Sequence, residues 1–216
     1  MDIFGKNWDN HEIRFETEWK KIVRNEDTVV IPGDISWGSN FEEAYADLKF
    51  INDLPGHKLI GKGNHDYWWA TMNKLTNFKK EKKLDNIDFL FNNAYFADNR
   101  IICGTRGWIN EFGVKREDEK IIKREAQRLE LSLKEGLKLK EDHPDGEITV
   151  FLHYPPVFGE FINYDIVDVL YRYNVGKVYF GHLHNVREEQ LDKEYIGIKL
   201  QLVSCDYVDF KPVEVV

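Results

Sequence analysis

Four short apolar runs in this chain each stop at a residue able to bind a metal or move a proton. Val29-Val30-Ile31 runs through Pro32 into Gly33-Asp34, and the run at 57–62 leads into Gly63-Asn64-His65-Asp66. Ile148-Thr149-Val150-Phe151-Leu152 stops at His153, and the run at 177–180 leads into Gly181-His182-Leu183-His184. Short runs of this kind, bounded by Gly or Pro, predict strands. Helical spacing fills the gaps: 11–24, with Ile13, Trp19, Ile22 and Val23 on about one face, then 41–54, 115–140 and 165–173. Residues 87–105 read as two or three strands around an Asn92-Asn93 turn, and 195–216 as hairpin strands. Strands alternating with helices predict a layered α/β domain with mixed sheets, the helices on the outer faces. In open α/β sheets, ligands collect beyond the carboxyl ends of the strands. The glycines before Asp34, Asn64 and His182 allow sharp turns that aim the next side chain into a shared cleft.

The 216 residues suggest a single domain over 1–216, long enough to bury a core. No apolar run reaches the ~18 residues of a spanning helix, and the first eight residues lack a signal-peptide pattern. Cys103 and Cys205 make no framework, which points to a reducing cytoplasm. A net charge of −8 argues against general nucleic-acid binding. It leaves room for a small phosphorylated substrate held by a metal.

Carboxylate, amide oxygen and imidazole together suit ions such as Mn, Fe and Zn. A carboxylate such as Asp34 can bridge two ions about 3.5–4 Å apart, a pair that polarises a phosphoryl oxygen and acidifies bound water. Imidazole titrates near neutrality, so His65 is the natural general acid for a leaving oxygen. Taken singly, these residues have plainer readings. Asp34 could be a turn aspartate or a helix cap, His153 a core histidine, and the rest polar loop residues. Taken jointly they do not, because four of the seven histidines fall in these motifs, each after a strand. Arg106 could grip a phosphate bidentately or sit on the surface. Trp37, Trp68, Trp69 and Trp108 could wall a pocket or pack the core. The charged run at 115–140 reads as a solvated helix face or a cap over the cleft.

Gly33-Asp34, Gly63-Asn64-His65-Asp66, His153 and Gly181-His182-Leu183-His184, in that order, resemble the calcineurin-like metallophosphoesterase family over 29 to about 205. Residues 63–69 and Gly104-Thr105-Arg106-Gly107-Trp108 look like a bacterial subgroup of it. The resemblance implies a four-layer α/β/β/α sandwich with two mixed sheets. It implies that Asp34 bridges two divalent ions and that Asn64, His153 and His182 complete one site. It gives His184 to the other ion and makes His65 the catalytic histidine, oriented by Asp66. The implied substrate is a phosphate monoester or diester, attacked by water or hydroxide held between the ions.

One part of the family pattern, an Asp-x-His motif after a first strand, does not precede Asp34 in strand context. Asp9-Asn10-His11 spells it, but after a polar segment. The expectation is that roughly 20 residues, a strand plus a loop, are absent upstream of Met1. That would leave backbone groups unpaired and one metal short of ligands, so that the chain binds one ion weakly or folds poorly. A weakly active or non-catalytic metal-binding or protein-interaction module on the same scaffold is the alternative. A zinc hydrolase of the metallo-β-lactamase type would need a His-x-His-x-Asp-His cluster, but Asn185-Val186-Arg187 follows His184.

Overall fold

A computed structural model describes residue 5, residues 8–109 and residues 116–215. Most of the N-terminal segment before Trp8, and the first residue of the 115–140 segment, lie outside the described residues. The order is α1 (His11–Ile22), β1 (Thr28–Ile31), α2 (Phe41–Asp53), β2 (His57–Ile60), α3 (Met72–Lys82) and β3 (Ile87–Phe89). Then come β4 (Ala94–Ala97), β5 (Arg100–Thr105), α4 (Arg116–Asp142), β6 (Glu147–Leu152), β7 (Val157–Phe158) and β8 (Phe161–Ile162). The chain continues with α5 (Tyr164–Arg172), β9 (Lys177–Phe180), β10 (Glu194–Tyr195) and β11 (Ile198–Leu202).

Local chemistry sets several boundaries. The Asn40 side chain accepts from Glu43 N–H, and the Glu43 carboxylate accepts from Ser39 N–H, which starts α2. At its other end the buried Lys58 ammonium donates to the carbonyls of Asn52, Leu54 and Gly56. A cation there also complements the helix dipole.

β1, β2 and β3 form a three-stranded parallel sheet in that order, with Val30 opposite Leu59 and Leu59 opposite Asp88. β1 is half-exposed and has no strand on its other flank among the described residues. The second sheet runs β10-β11-β9-β6-β5-β4 and is mixed. Its four central strands are parallel, and β10 and β4 are antiparallel to their neighbours.

Three apolar clusters join these layers. Trp19 of α1, Ala44 and Leu48 of α2, and Leu75 and Phe78 of α3 pack with Ile60, Ile87 and Phe89 of the first sheet. Leu59, Ile102, Phe151 and Tyr179 pack together between the two sheets. Ala126, Leu129 and Leu133 of α4, with Ile166 and Leu170 of α5, cover Ile101, Val150 and Val178 of the second sheet. Each such aliphatic side chain contributes about 1.5–3 kcal/mol relative to exposure.

Three features depart from the sequence reading. α3 was not anticipated, because only Leu75 and Phe78 of its eleven residues are buried and its apolar stripe is thin. The β7–β8 hairpin is too short to carry a period. The expected strands over 195–216 end at Leu202. Beyond it, Ser204 O accepts from Tyr207 and Val208 N–H, and Cys205 O accepts from Phe210 N–H. Tyr207, Val208 and Phe210 therefore belong to turns.

Candidate metal centre

β1 and β2 are parallel neighbours, so the loops leaving them lie side by side. They touch at two glycines. Gly33 has φ +109°, and a Cβ on it would sit 2.3 Å from Gly63 N. A Cβ on Gly63 would sit 1.9 Å from Asp34 Oδ1. Asp66 then ties the loops together. Its Oδ2 accepts from the N–H groups of Gly63 (2.7 Å) and Asp34 (2.8 Å). Its Oδ1 accepts from the N–H groups of Ile35 (3.0 Å) and Ser36 (3.2 Å) and from the Trp68 indole (3.1 Å). Burial pushes the Asp66 carboxyl above its usual range, against the hydrogen bonds that pull it down. These five bonds tie Asp66 to the loop backbone and the Trp68 indole, and none of them comes from the His65 ring that Asp66 was expected to orient. The expected turn at Gly181 also shifts by one residue. His182 itself adopts the positive φ, 68°, and so does Asp34, at 59°. Non-glycine residues held there cost about 1–3 kcal/mol and cluster at functional sites.

β6 and β9 are likewise parallel neighbours, and they deliver His153 and His182 to the same place. Donor atoms of Asp34, His153 and His182 all lie within 4.8 Å of one another. The buried His153 ring uses Nδ1 for Pro32 O at 3.1 Å. That fixes the proton on Nδ1 and turns the Nε2 lone pair inward, as outer hydrogen bonds do for metal-binding histidines. Nε2 faces Asn64 Oδ1 at 2.6 Å and Asp34 Oδ2 at 3.5 Å. His182 Nδ1 faces the same Asn64 oxygen at 3.0 Å. Lone pairs of two carbonyl-type oxygens and a buried imidazole thus converge, which is the electrostatics of a cation site.

The titration of these groups agrees. Burial, helped by the neighbouring His182, pushes His153 well below its ordinary value, keeping it neutral as a ligand must be. Burial pushes Asp34 up to about 6, against the His65 N–H that donates to it at 2.9 Å. A bound cation would reverse that shift. The four donors fit a borderline divalent ion.

The other expected residues lie around this centre. His184 is not one of the converging group. Its Nδ1 bonds Asp206 Oδ1 at 2.7 Å, and Asn185 N–H donates to the other Asp206 oxygen. Asp206 was missed by sequence reasoning. It follows β11, the parallel neighbour of β9, so the signal was again a polar residue after a strand. The indole of Trp8 meets the His184 ring edge-on at 5.3 Å, and His11 packs on that indole at 6.0 Å. Arg106 lies over Trp108 at 4.9 Å, with Nη2 3.7 Å from Glu125. Glu125 is fully buried on α4 and bonds Arg128 and Thr105, so one carboxylate of the charged run turns inward. The half-buried Lys62 feels the same cations, and burial with their repulsion lowers its pKa. Of the four tryptophans weighed above, Trp68 is core, at 3% exposed, while Trp37 stays 40% exposed and stacks on His65.

Parallel strand ends that gather Asp, Asn and two His define an α/β protein with a His/Asp cluster that could hold a metal ion. Residues 8–186 match the calcineurin-like phosphoesterase family, and the chain belongs to it. The Gene 66 protein of Mycobacterium phage L5 is 41% identical over 58 residues, 27% of this chain and 28% of that protein. The match thus spans little over a quarter of that relative's length. TT1561 of Thermus thermophilus has a crystal structure similar to this one in fold. The TM-score is 0.54 at 12% identity, over 90% of this chain and 83% of that one. No helix among the described residues is long and apolar enough to cross a membrane.

Proposed function

We propose that this chain is a metal-dependent phosphoesterase, built as a four-layer α/β/β/α sandwich, that hydrolyses phosphate monoesters or diesters. The observation that carries the reading is the convergence of Asp34, Asn64, His153 and His182. These four residues would hold one divalent ion of the Mn, Fe or Zn type. Asp34 and His184, the latter steadied by Asp206, would serve a second. When bound, such ions supply Lewis acidity at phosphorus and a nucleophilic water near neutral pH. His65, beside Asp34 and half-exposed, donates the proton to the leaving oxygen. Arg106 and Arg128 pair with the buried Glu125, and Lys62 lies within reach of the same cations, a cluster suited to an anionic substrate. The two unpaired cysteines suit a reducing cytoplasm.

A one-ion binding module is the second reading. Among the described residues only one group of three His or Asp ligands forms, and His184 is outside it. Elemental analysis separates the two readings, since two ions per chain favour the first. The activity test is hydrolysis of 4-nitrophenyl phosphate and bis(4-nitrophenyl) phosphate with added Mn²⁺, Fe²⁺ or Zn²⁺. Turnover that is lost with a chelator and in Asp34→Ala supports the enzyme. No turnover by metal-loaded protein with either ester refutes it.

A further inference from the structure

None of the five hydrogen bonds given above for Asp66 comes from His65. Two aromatic side chains meet its ring, one from each of the loops that Asp66 ties together. Trp37, three residues after Asp34, stacks on the imidazole face with ring centres 4.1 Å apart and planes within 15°. Tyr67, two residues after His65, meets the ring edge-on at 88°, and its hydroxyl lies 3.2 Å from Nδ1. The backbone of His65 is pinned separately, by its N–H bond to Asp34 Oδ1. Backbone, ring face and Nδ1 are thus each constrained, which holds the imidazole in one orientation. Core packing does not explain the aromatics: Trp37 is 40% and Tyr67 61% exposed, unlike Trp68 at 3%.

We propose that Trp37 and Tyr67 are positioning residues that hold the His65 imidazole in the orientation from which it protonates the leaving oxygen of the ester. The inference rests on the reading of His65 as proton donor. In the step it serves, a water oxygen bonds to phosphorus and the ester P–O bond breaks. The bond's electron pair stays on the leaving oxygen, which takes the proton from the His65 ring. Proton donation of this kind contributes about 10²–10⁴-fold, and it depends on hydrogen-bond geometry that a free ring does not keep. It matters most for poor leaving groups, which cannot depart as anions unaided.

The test is the dependence of kcat/KM on leaving-group pKa, over aryl phosphates from 2,4-dinitrophenyl to phenyl and on to an alkyl phosphate. Tyr67→Phe and Trp37→Leu are expected to steepen the slope, with about tenfold or greater loss at the poorest leaving group. Trp37→Phe, which keeps a ring face, is expected to restore it. Loss that is uniform along the series, as a merely structural role would give, overturns the proposal, and so does an unchanged slope. NMR of the His65 ring supplies a readout independent of turnover. Supporting results are ring protons shifted upfield by Trp37, with the shift lost in Trp37→Leu, and a ring that is ordered in the unmodified chain but loosened in Tyr67→Phe. A freely reorienting ring in the unmodified chain overturns the proposal. An ordered ring in a chain that hydrolyses no ester overturns the phosphoesterase reading and leaves the positioning intact.

Discussion

Replacing Asp66 by Asn changes one atom and tests how the centre is held. The carboxylate accepts five hydrogen bonds, three on Oδ1 and two on Oδ2. An amide keeps one oxygen. In its better orientation that oxygen retains the Ile35, Ser36 and Trp68 donors, and the new NH₂ faces the N–H groups of Gly63 and Asp34. Two buried donors lose their acceptor at about 1–3 kcal/mol each, so Asp66→Asn should destabilise the fold by about 2–6 kcal/mol. For a chain of this size each kcal/mol moves Tm by about 2–4 °C, which gives a fall of at least about 4 °C. The two loops also carry Asp34 and Asn64, so divalent-ion affinity should fall with stability. Urea unfolding followed by tryptophan fluorescence measures the first, and titration calorimetry with Mn²⁺ or Zn²⁺ the second. A variant within about 1 kcal/mol of the unmodified chain, with unchanged ion affinity, would refute the argument that Asp66 ties the loops.

Three further outcomes are expected. Gly63→Ala should abolish ion binding, because the new methyl meets Asp34 Oδ1 at 1.9 Å and Asp34 N at 2.4 Å. Gly176→Ala has nothing within 4 Å and should bind ions as the unmodified chain does, with calorimetry comparing the two. Asp206→Asn should reduce activity or ion affinity by about 10–100-fold, the usual cost of losing the partner of a ligating histidine, and steady-state kinetics with Mn²⁺ checks it. Burial lowers Lys58 from 10.5 to about 8, so between those pH values the unfolded chain holds a proton that the folded chain does not. The contribution of Lys58 to stability should therefore rise with pH across that window, by about 3 kcal/mol at most. Urea midpoints of the unmodified chain against Lys58→Met, from pH 7.5 to 10.5, read the difference. A fall with rising pH would contradict it.

Much of the centre was legible because it sits at strand ends. A run such as Val29–Ile31 declares itself through residues within it, and the polar residue that follows inherits the position. Parallel pairing of β1 with β2 and of β6 with β9 does the rest, bringing Asp34, Asn64, His153 and His182 together. The helices with broad apolar stripes were legible for the same reason, since period 3.6 is a local property. α3, with two buried residues, was not.

What the sequence could not declare were contacts between one loop and another. An aspartate after a histidine reads the same whatever it bonds, and only the approach of Gly33 to Gly63 brings the N–H groups of Asp34, Ile35 and Ser36 to Asp66. Trp37 and Trp68 look alike in sequence, yet one lies on His65 and the other in the core. Asp206 reaches His184 across 22 residues because β11 lies beside β9. Composition, period and motif therefore determined the family-like pattern of ligands and the strands that carry them, since these depend on neighbours along the chain. Sheet order decided which loops touch, and with that the contacts of Asp66, Asp206 and Trp37, because hydrogen bonds and ring contacts between loops depend on distance in space.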